Sequence, residues 1–402
     1  MNRALLARGV PVTVRDPIHG SIRIDDWALP LVDSPAVQRL RRIHQLGTAH
    51  HVYPGAHHRR FEHSLGAHHL AGRFAAALGL SEHEACTVRA ACLLHDVGHG
   101  PFSHAFEELV KDEGRRHEEA SMDLVGWGPL ADLLRQAGLD PLAVAEAIGG
   151  KGRLAPIVSG SLDADRLDYL LRDAHYTGFR SAVDADRLIE VLQPGERHTV
   201  VLDESGLIAA EAILTTRFLM YPAVYLHHTV RATEAMLQAA VRSHLGDTGL
   251  RLVDLERTTD DELLHRLRGG GGEAAALVAR MDDRRLYKRA YEGRPGQPNT
   301  QALLALGSRP RDRLSLAAEV ADAAGVPHAS VLLDVPHPPK FRELRLQVRF
   351  RDGTLRPLPE ASRLVKVMED ARMDHWRAWV FAPRQDRERV AAAAQRILDA
   401  LA

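Results

Sequence analysis

The sequence has few cysteines. Cys86 and Cys92 are the only two among 402 residues. They lie six residues apart in a stretch with helical periodicity, so their side chains point to different faces of the helix and we expect no disulfide between them. A reducing, cytoplasmic compartment fits this cysteine content best.

The chain also lacks a net charge and a long apolar run. The 52 Lys and Arg residues against 53 Asp and Glu residues leave a formal charge of -1, so no global basic field attracts nucleic acid or an anionic membrane. No run of 18 apolar residues occurs, and the apolar run within residues 1–17 is too short for a signal peptide. We therefore expect a protein that does not span a membrane and has no support for nucleic-acid binding.

Histidine, by contrast, is abundant, with 23 residues concentrated in the first 120. A compositional habit would place most of them on the surface or at helix caps. A histidine-lined metal site would instead require particular spacings. The hydrophobic content of 45% is enough to bury a substantial core.

The apolar periodicity predicts a mainly α fold. Residues 10–25 alternate around a Pro-Ile-His-Gly turn and predict a short β-hairpin. The pattern is helical over about residues 34–245, with a hairpin expected at 198–210 around the turn Asp-Glu-Ser-Gly. A long helix is predicted over 209–243, and Pro222 should kink it.

The C-terminal third has a different pattern. Glycines at 269–272 and the segment 293–299 break the helices. Strands are predicted in 329–335, 343–350 and 376–383, followed by an amphipathic helix. We therefore expect a helical domain over residues 1–250 and a smaller α+β region over residues 251–402 that serves oligomer contacts.

One stretch joins histidine to a carboxylate at a helix end. An apolar helix arrives at His95 and Asp96 and is broken at once by two glycines and a proline within residues 98–101. Adjacent helical residues diverge by about 100°, but a pair at a fraying end can converge on one ion. Imidazole nitrogen with carboxylate oxygen suits Fe, Zn, Mn or Ni better than Ca or Mg alone. The pair alone is a weak signal that needs further ligands.

Further candidate ligands lie on two other predicted helices. His63 falls in the first turn of the helix that Arg60 opens. Asp165, Tyr169 and Asp173 lie at i, i+4 and i+8 and form one stripe of a later helix. A solvated acidic face would give the same stripe. The metal interpretation therefore depends on the combined order His…His-Asp…Asp.

Six runs of the sequence carry a family resemblance. They are DPIHGSI, DSPAVQRLRRIHQLGTAHHVYPGAHHRRFEHSLG, LLHDVGHGPFSHAFE, HEEAS, LDADRLDYLLRDAHYTG and LTTRFLMYPAVYLHHTV. In this order they resemble the SAM-and-HD-domain deoxynucleotide triphosphohydrolases, especially the bacterial members without the SAM domain. The resemblance covers about residues 10–245 and continues weakly through 284–292 and 331–335. It implies an HD-domain helical core, and because the motifs begin within the first twenty residues we expect no SAM domain.

The resemblance assigns roles to individual residues. It implies one divalent transition metal, which could be Fe, Zn, Mn or Ni, held by His63, His95, Asp96 and Asp165. It implies a reaction centre lined by His99, His104, His117 and Glu118. It implies substrate contacts from Gln45, Leu46, Arg60, Arg166, Tyr169, Asp173, Arg217 and Tyr225.

The chemistry of these residue types suits a nucleoside triphosphate. Its roughly four negative charges call for guanidinium groups. Arg217, Tyr221 and Tyr225 share one side of a predicted helix, although core packing is an alternative for both tyrosines. Arg166 stands where vertebrate members carry lysine, and Tyr221 replaces a histidine of those members.

The implied reaction is hydrolysis of a deoxynucleoside triphosphate to deoxynucleoside and inorganic triphosphate, with Mg²⁺ on the substrate. A bound metal would polarise the α-phosphoryl group and lower the pKa of water. The 5′-oxygen needs a proton, for which His104 is the first candidate and His117 the second. Gln45, Leu46 and Tyr225 would exclude a 2′-hydroxyl.

Regulation and assembly are also implied by resemblance alone. Asp33, Gln38 and Arg41 match residues that bind a guanine effector in relatives, so a dNTP or GTP effector is expected there. Relatives are dimers of dimers, and we expect a homo-oligomer, either a dimer or a tetramer.

Two other functions remain open. HD hydrolases of cyclic nucleotides, alarmones or nucleoside monophosphates share the His…His-Asp…Asp order, but should lack the helix of Arg217 and Tyr225. A non-catalytic nucleotide-binding regulatory subunit would be favoured by loss of a ligand, whereas all four ligand positions are intact here.

Overall fold

A computed structural model describes residues 11–110, 116–196, 199–338 and 341–401. Residues 1–10, with the N-terminal segment and the first residue of the predicted hairpin, and residue 198 of the second predicted hairpin lie outside these ranges. The helices are α1 (Leu29–Val32), α2 (Pro35–Arg39), α3 (Arg60–Ala77), α4 (Glu82–Leu94), α5 (His104–Val110), α6 (His117–Gly126), α7 (Pro129–Gln136), α8 (Pro141–Ile148), α9 (Ala155–Ser159), α10 (Ala164–Thr177), α11 (Ala185–Glu190), α12 (Leu207–Met220), α13 (His228–Thr248), α14 (Leu252–Glu256), α15 (Asp260–Gly269), α16 (Gly272–Asp282), α17 (Thr300–Leu306), α18 (Pro310–Ala324), α19 (Leu358–Ala361), α20 (Arg363–Asp370) and α21 (Arg387–Asp399).

The strands are β1 (Val12–Asp16), β2 (Gly20–Ile24), β3 (Leu192–Pro194), β4 (Val200–Asp203), β5 (Lys288–Gly293), β6 (Leu332–Asp334), β7 (Gln347–Arg349), β8 (Leu355–Pro357) and β9 (Ala378–Ala382). The fold is mainly α, as predicted. The first hairpin is present, with β1 antiparallel to β2 and Val12 opposite Ile24.

The packing of α3 against α4 and α10 builds the part of the core that carries the site. Ser81 and Glu84 form the predicted capping box at the start of α4. Gly66 lets α3 and α10 approach closely, because a Cβ there would lie 1.8 Å from Asp168 Oδ1. Phe74, Leu70 and their apolar neighbours on α3 are fully buried in the same core.

Two predictions in the middle of the chain were wrong. The hairpin is formed by β4 with the preceding strand β3, and residues 204–206 lead directly into α12 instead of turning back. The Asp203 carboxylate accepts a hydrogen bond from Ser205 N and so caps this helical turn. The helix predicted over 209–243 is two helices, α12 and α13, separated by a π-helical turn, Tyr221–Tyr225, that contains Pro222.

The three predicted C-terminal strands form within their segments, as β6, β7 and β9. The order β5-β9-β6 gives one sheet, and β3-β4-β7-β8 gives another. In the second sheet β4 pairs in parallel with β7, so the sheet joins strands from both sides of residue 250. The domain boundary at residue 250 stays a prediction.

One segment of the described residues, Glu204–Tyr225, is long and apolar enough to span a bilayer by length and composition alone. Within it Glu211 accepts a hydrogen bond from Ser362, and Arg217 bonds Tyr169. Buried polar partners of this kind are typical of a core helix in a globular domain.

Candidate active site

Three helices bring four His and Asp side chains together. The first turn of α3 supplies His63, the end of α4 supplies His95 and Asp96, and the first turn of α10 supplies Asp165. His63 Nε2 lies 3.2 Å from His95 Nε2 and 3.1 Å from Asp165 Oδ1. Asp165 Oδ1 is 3.4 Å from His95 Nε2, and Asp96 Oδ1 is 3.2 Å from the same nitrogen. All four predicted metal ligands therefore converge.

The opposite ring nitrogens of both histidines are held by acceptors. His63 Nδ1 lies 2.8 Å from Asp168 Oδ2, and His95 Nδ1 lies 2.7 Å from the carbonyl oxygen of Cys92. Because these oxygens only accept, each Nδ1 carries a hydrogen, and each Nε2 is the atom turned to the cluster. A metal-binding histidine typically has such a partner behind it.

The donor set fits a divalent cation. The two Nε2 atoms are buried and have room for at most one proton between them, whereas a cation would satisfy both. Metal bonds of about 2.0–2.1 Å to nitrogen or oxygen place neighbouring ligand atoms about 3.0–3.4 Å apart. His63, His95 and Asp165 have that spacing. The carboxylates also balance the charge of a cation.

The same carboxylates shift the pKa values of the histidines. Burial opposes the charged ring, but hydrogen bonds to Asp165 and Asp168 raise the pKa of His63 to about 10. Burial opposes the charged form of Asp96, yet Arg60 and His95 hold the pKa of Asp96 well below its usual range. A position that attracts a proton this strongly also attracts a metal ion, which displaces that proton.

A second set of histidines lies beside the four ligands. The rings of His99 and His117 stack with centroids 3.8 Å apart, and His99 Nε2 is 3.3 Å from Asp96 Oδ1. Burial and the Arg60 charge lower the pKa of His99 well below its usual value, so this ring is neutral at pH 7. His104 differs from both because its side chain is 69% exposed.

Glu107 joins the predicted proton donors. His104 Nδ1 lies 3.2 Å from Glu107 Oε2, and His117 Nδ1 lies 3.0 Å from Glu107 Oε1. Burial opposes ionisation, but these two hydrogen bonds lower the pKa of Glu107 far below its usual value. The carboxylate accepts at both Nδ1 atoms, so it turns the Nε2 atom of each ring outward. Glu118 pairs with the exposed Arg116.

The break after Gly98 adopts an unusual backbone. Phe102 and Ser103 have φ values of 54° and 52°, a left-handed conformation that costs free energy for residues with a Cβ. Ser103 Oγ accepts from Arg60 Nε at 2.6 Å and donates to the carbonyl of His44. Arg60 in turn bonds Asp96. The bonds of the strained turn therefore fix the Arg60 guanidinium against a ligand.

The other predicted cations occupy different positions. Arg166 donates to the carbonyls of Gly160 and Ser161. Arg217 donates to the Tyr169 hydroxyl and lies 5.8 Å from the Tyr221 ring centroid. Both guanidinium groups are held by neutral or aromatic partners in these contacts, and so keep positive charge for an anion.

A polar network lies at the Asp173 carboxylate. Tyr225 donates to Asp173 Oδ2 at 2.9 Å, and His58 Nε2 lies 2.8 Å from Asp173 Oδ1. Burial and the Asp173 charge raise the pKa of Tyr225 well above its usual value. Within the described residues, Gln45 Oε1 is buried without a hydrogen-bond partner. An unpaired buried oxygen of this kind is suited to a ligand.

One cavity of about 460 Å³ connects these groups, a size typical of small-molecule sites. It is lined by every residue predicted to bind metal, to line the reaction centre or to contact substrate. Asp33, Gln38 and Arg41 do not line it. Gln38 donates to the carbonyl of Val32 and accepts from Arg41, whose guanidinium stacks 3.6 Å from the Phe61 ring centroid. Their effector role stays a prediction.

Sequence reasoning missed the residues behind the ligands. Asp168 bonds His63, and it also accepts from His19 and twice from Arg172. Glu107 and His58 were missed as well. The one available signal was the Asp168–Arg172 spacing of i, i+4 beside Asp165 on α10, which indicates a helical ion pair.

Comparison with known proteins agrees with this geometry. The HD domain model matches residues 60–173, and the HD associated region model matches residues 183–401. An uncharacterized protein of Methanocaldococcus jannaschii is 31% identical over 380 residues, 92% of this chain and 79% of that protein. A crystal structure from Bacteroides thetaiotaomicron, described as a phosphohydrolase, is 28% identical with a TM-score of 0.75, covering 93% of this chain and 100% of that one.

A further relative carries an activity in its name. Human deoxynucleoside triphosphate triphosphohydrolase SAMHD1 is 31% identical over 316 residues, 68% of this chain, and the chain spans 48% of its length. The family resemblance seen in the sequence is thereby confirmed. The chain belongs to the HD-domain phosphohydrolases and consists of an HD domain followed by an HD-associated region.

Proposed function

We propose that this phosphohydrolase converts deoxynucleoside triphosphates to deoxynucleoside and inorganic triphosphate. The observation that carries the proposal is a single cavity that joins the His/Asp cluster to Arg166 and Arg217 and to the Tyr225–Asp173 pair. Metal ligands, cationic groups and a polar aromatic wall match the three parts of a nucleotide. The name of the human relative points to the same substrate class.

His63, His95, Asp96 and Asp165 would hold a divalent transition metal. When bound, it supplies positive charge to phosphoryl oxygens and lowers the pKa of water. The set of two imidazoles and two carboxylates does not distinguish Fe, Zn, Mn and Ni. The substrate would carry Mg²⁺ on its triphosphate, as nucleotides generally do.

The chain's cationic groups bind the triphosphate. Arg217 and Arg166 lie in the cavity with contacts that leave their positive charge unneutralised by Tyr169 and by backbone carbonyls. Each guanidinium can donate two hydrogen bonds to one phosphate group. Arg60 has a different role, because it bonds Asp96 and fixes the direction of that carboxylate.

The proton for the leaving group comes from a histidine. Water attacks the α-phosphorus, the bond from phosphorus to the 5′-oxygen breaks, and that oxygen takes a proton to give the deoxynucleoside. His104 is the first candidate donor and His117 the second. Glu107 accepts at Nδ1 of both, so the outward Nε2 atom of either ring is the one positioned to deliver the proton.

The sugar is read by the wall opposite the cations. The hydrogen bond from Tyr225 to Asp173 fixes the phenol ring, and Gln45 offers its unpaired Oε1. A rigid wall at the 2′ carbon discriminates against a hydroxyl by steric exclusion. Gln45, Leu46 and Tyr225 would form that wall.

A substrate panel tests the proposal. The metal-loaded protein is incubated with dNTPs, rNTPs, a cyclic nucleotide and a nucleoside monophosphate, alone and with dGTP or GTP added. We expect dNTP turnover that exceeds rNTP turnover, and none in Asp165→Ala. Preferred turnover of the cyclic nucleotide or monophosphate would replace the proposal with another HD hydrolase activity. Binding of nucleotide without any turnover would favour a regulatory subunit.

A further inference from the structure

Three histidines outside the cluster described above meet on the loop that precedes α3. His44, His50 and His57 each offer a ring nitrogen, and these atoms lie within 4.8 Å of one another. A β-bridge between His44 and Arg59 closes the loop at its base, which returns His57 to the side of His44. The ring centroids of His44 and His50 are 5.2 Å apart, and those of His44 and His57 are 5.8 Å apart.

His44 is oriented as a ligand would be. Its Nδ1 lies 2.7 Å from Asp260 Oδ2, and its backbone N–H donates to the same oxygen at 2.8 Å. Asp260 is almost fully buried, and its other oxygen accepts from Phe102 N. Because the carboxylate accepts at Nδ1, the Nε2 atom carries the lone pair. A carboxylate behind a ring nitrogen is the arrangement found at metal-binding histidines.

Two ring nitrogens of this group are buried and have no partner. His44 Nε2 and His50 Nδ1 make no hydrogen bond to any residue that the structure describes. Leaving them unsatisfied costs free energy. Burial and the neighbouring histidines lower the pKa of His50 to about 4, and burial lowers the pKa of His57, so both rings are neutral at pH 7. Neutral imidazole is the form that binds a metal.

We propose that His44, His50 and His57 form a second binding site for a divalent transition metal, with Zn²⁺ as the representative ion. Three imidazoles suit Zn²⁺, Cu²⁺ or Ni²⁺ and are poor ligands for Mg²⁺ or Ca²⁺. A small closure of the loop brings the three nitrogens to bonding distance. The solvent-exposed ring of His57 gives the ion a route of entry.

Charge near the site is compatible with a cation. Arg59 Nη1 contacts His44 and is the nearby positive group, and Asp260 Oδ2 lies 3.9 Å from it. The buried carboxylate therefore offsets a positive charge on one side of His44. An added cation would then face a partly neutralised environment, in which three neutral rings replace its water.

The site is distinct from the His/Asp cluster of α3, α4 and α10. His44 reaches that cluster only indirectly, because its carbonyl accepts from Ser103, which bonds Arg60, which bonds Asp96. It is nevertheless next to the cavity, since Gln45 follows His44 in the chain and lines the cavity wall. An ion here would stiffen the loop that carries Gln45.

Zinc stoichiometry tests the site. The purified full chain is dialysed against buffered Zn²⁺, and bound zinc is measured by mass spectrometry. We expect about two ions per chain in the wild type and about one in either His57→Gln or Asp165→Ala, because each change removes a ligand from a different site. The double variant should lose both contributions. His57 is exposed, so its substitution preserves the fold; His50→Gln provides a second test, with affinity at the site falling at least tenfold.

His51→Gln is the matched control. His51 neighbours His50 but offers no nitrogen to the group, so zinc binding should stay at the wild-type level. Equal loss in His51→Gln and His57→Gln would show adventitious binding by a histidine-rich loop and overturn the proposal. One ion in the wild type that is lost only in Asp165→Ala would overturn it as well. Both outcomes are independent of whether the protein hydrolyses dNTPs.

Discussion

The carboxylate of Asp168 should support both the fold and the metal centre. It is fully buried and accepts hydrogen bonds from His19, His63 and twice from Arg172. Asp168→Asn keeps the shape of the side chain but turns one oxygen into an N–H₂ group. That group faces donors, so at least one bond becomes a donor–donor clash. Arg172, also fully buried, is left with Asp16 as its ionised partner.

The magnitude follows from these contacts. Removing one charge of a buried ion pair costs about 3–5 kcal/mol, because the remaining charge is left uncompensated. We expect the metal-free Asp168→Asn protein to lose about that much free energy of unfolding. The ring of His63 also loses its orienting carboxylate, and metal affinity should fall about 10–100-fold.

Asp165→Asn is the matched control, three residues away on α10. Its side chain is 30% exposed, so the same change should cost the metal-free protein only about 1 kcal/mol while removing a metal ligand. Urea unfolding of the metal-free proteins and a metal-binding titration measure the two effects. Equal loss of stability in both variants, or unchanged metal affinity in Asp168→Asn, would refute the reasoning.

Three further predictions concern stability, packing and substrate binding. Burial and Arg89 lower the pKa of His68 to about 3, from 6.5; stability is therefore complete above pH 6.5 and is lost as the pH falls, by about 2 kcal/mol at pH 5. Urea unfolding across this range should show a shallower pH dependence in His68→Gln and no change in slope in the exposed His83→Gln. Gly66→Ala should cost about 3 kcal/mol or prevent folding, because its Cβ would overlap Asp168, whereas Gly72→Ala, whose nearest atom is a flexible Arg89 carbon at 3.3 Å, should be tolerated in a thermal melt. Tyr225→Phe should lower kcat/KM for dNTPs about 10-fold by freeing Asp173; an unchanged value would remove Tyr225 from the sugar wall.

The sequence predicted the ligand set because its signals are local. A helix start at His63 and a helix end at His95 and Asp96 are marked by glycines, prolines and apolar periodicity. Asp168 carries no such local mark, because its role depends on how α10 crosses α3 at Gly66. Packing of that kind follows from tertiary structure, which a single sequence does not encode in its periodicity.

The mistaken hairpin has a similar cause. Residues 198–210 alternate with a turn signal in the middle, so the pattern predicts two paired strands. The strand Val200–Asp203 pairs instead with β3 and β7, and the residues after Gly206 are good helix formers. Strand partners are set by distant residues, so the pattern predicted the strand but not its partner.

The most direct test of the proposed reaction is turnover of a dNTP in ¹⁸O-labelled water by the metal-loaded protein. Attack at the α-phosphorus predicts one ¹⁸O atom in the inorganic triphosphate, an unlabelled deoxynucleoside, and no products from Asp165→Ala. Label in the deoxynucleoside, or monophosphate with pyrophosphate as products, would contradict the assignment of the bond that breaks.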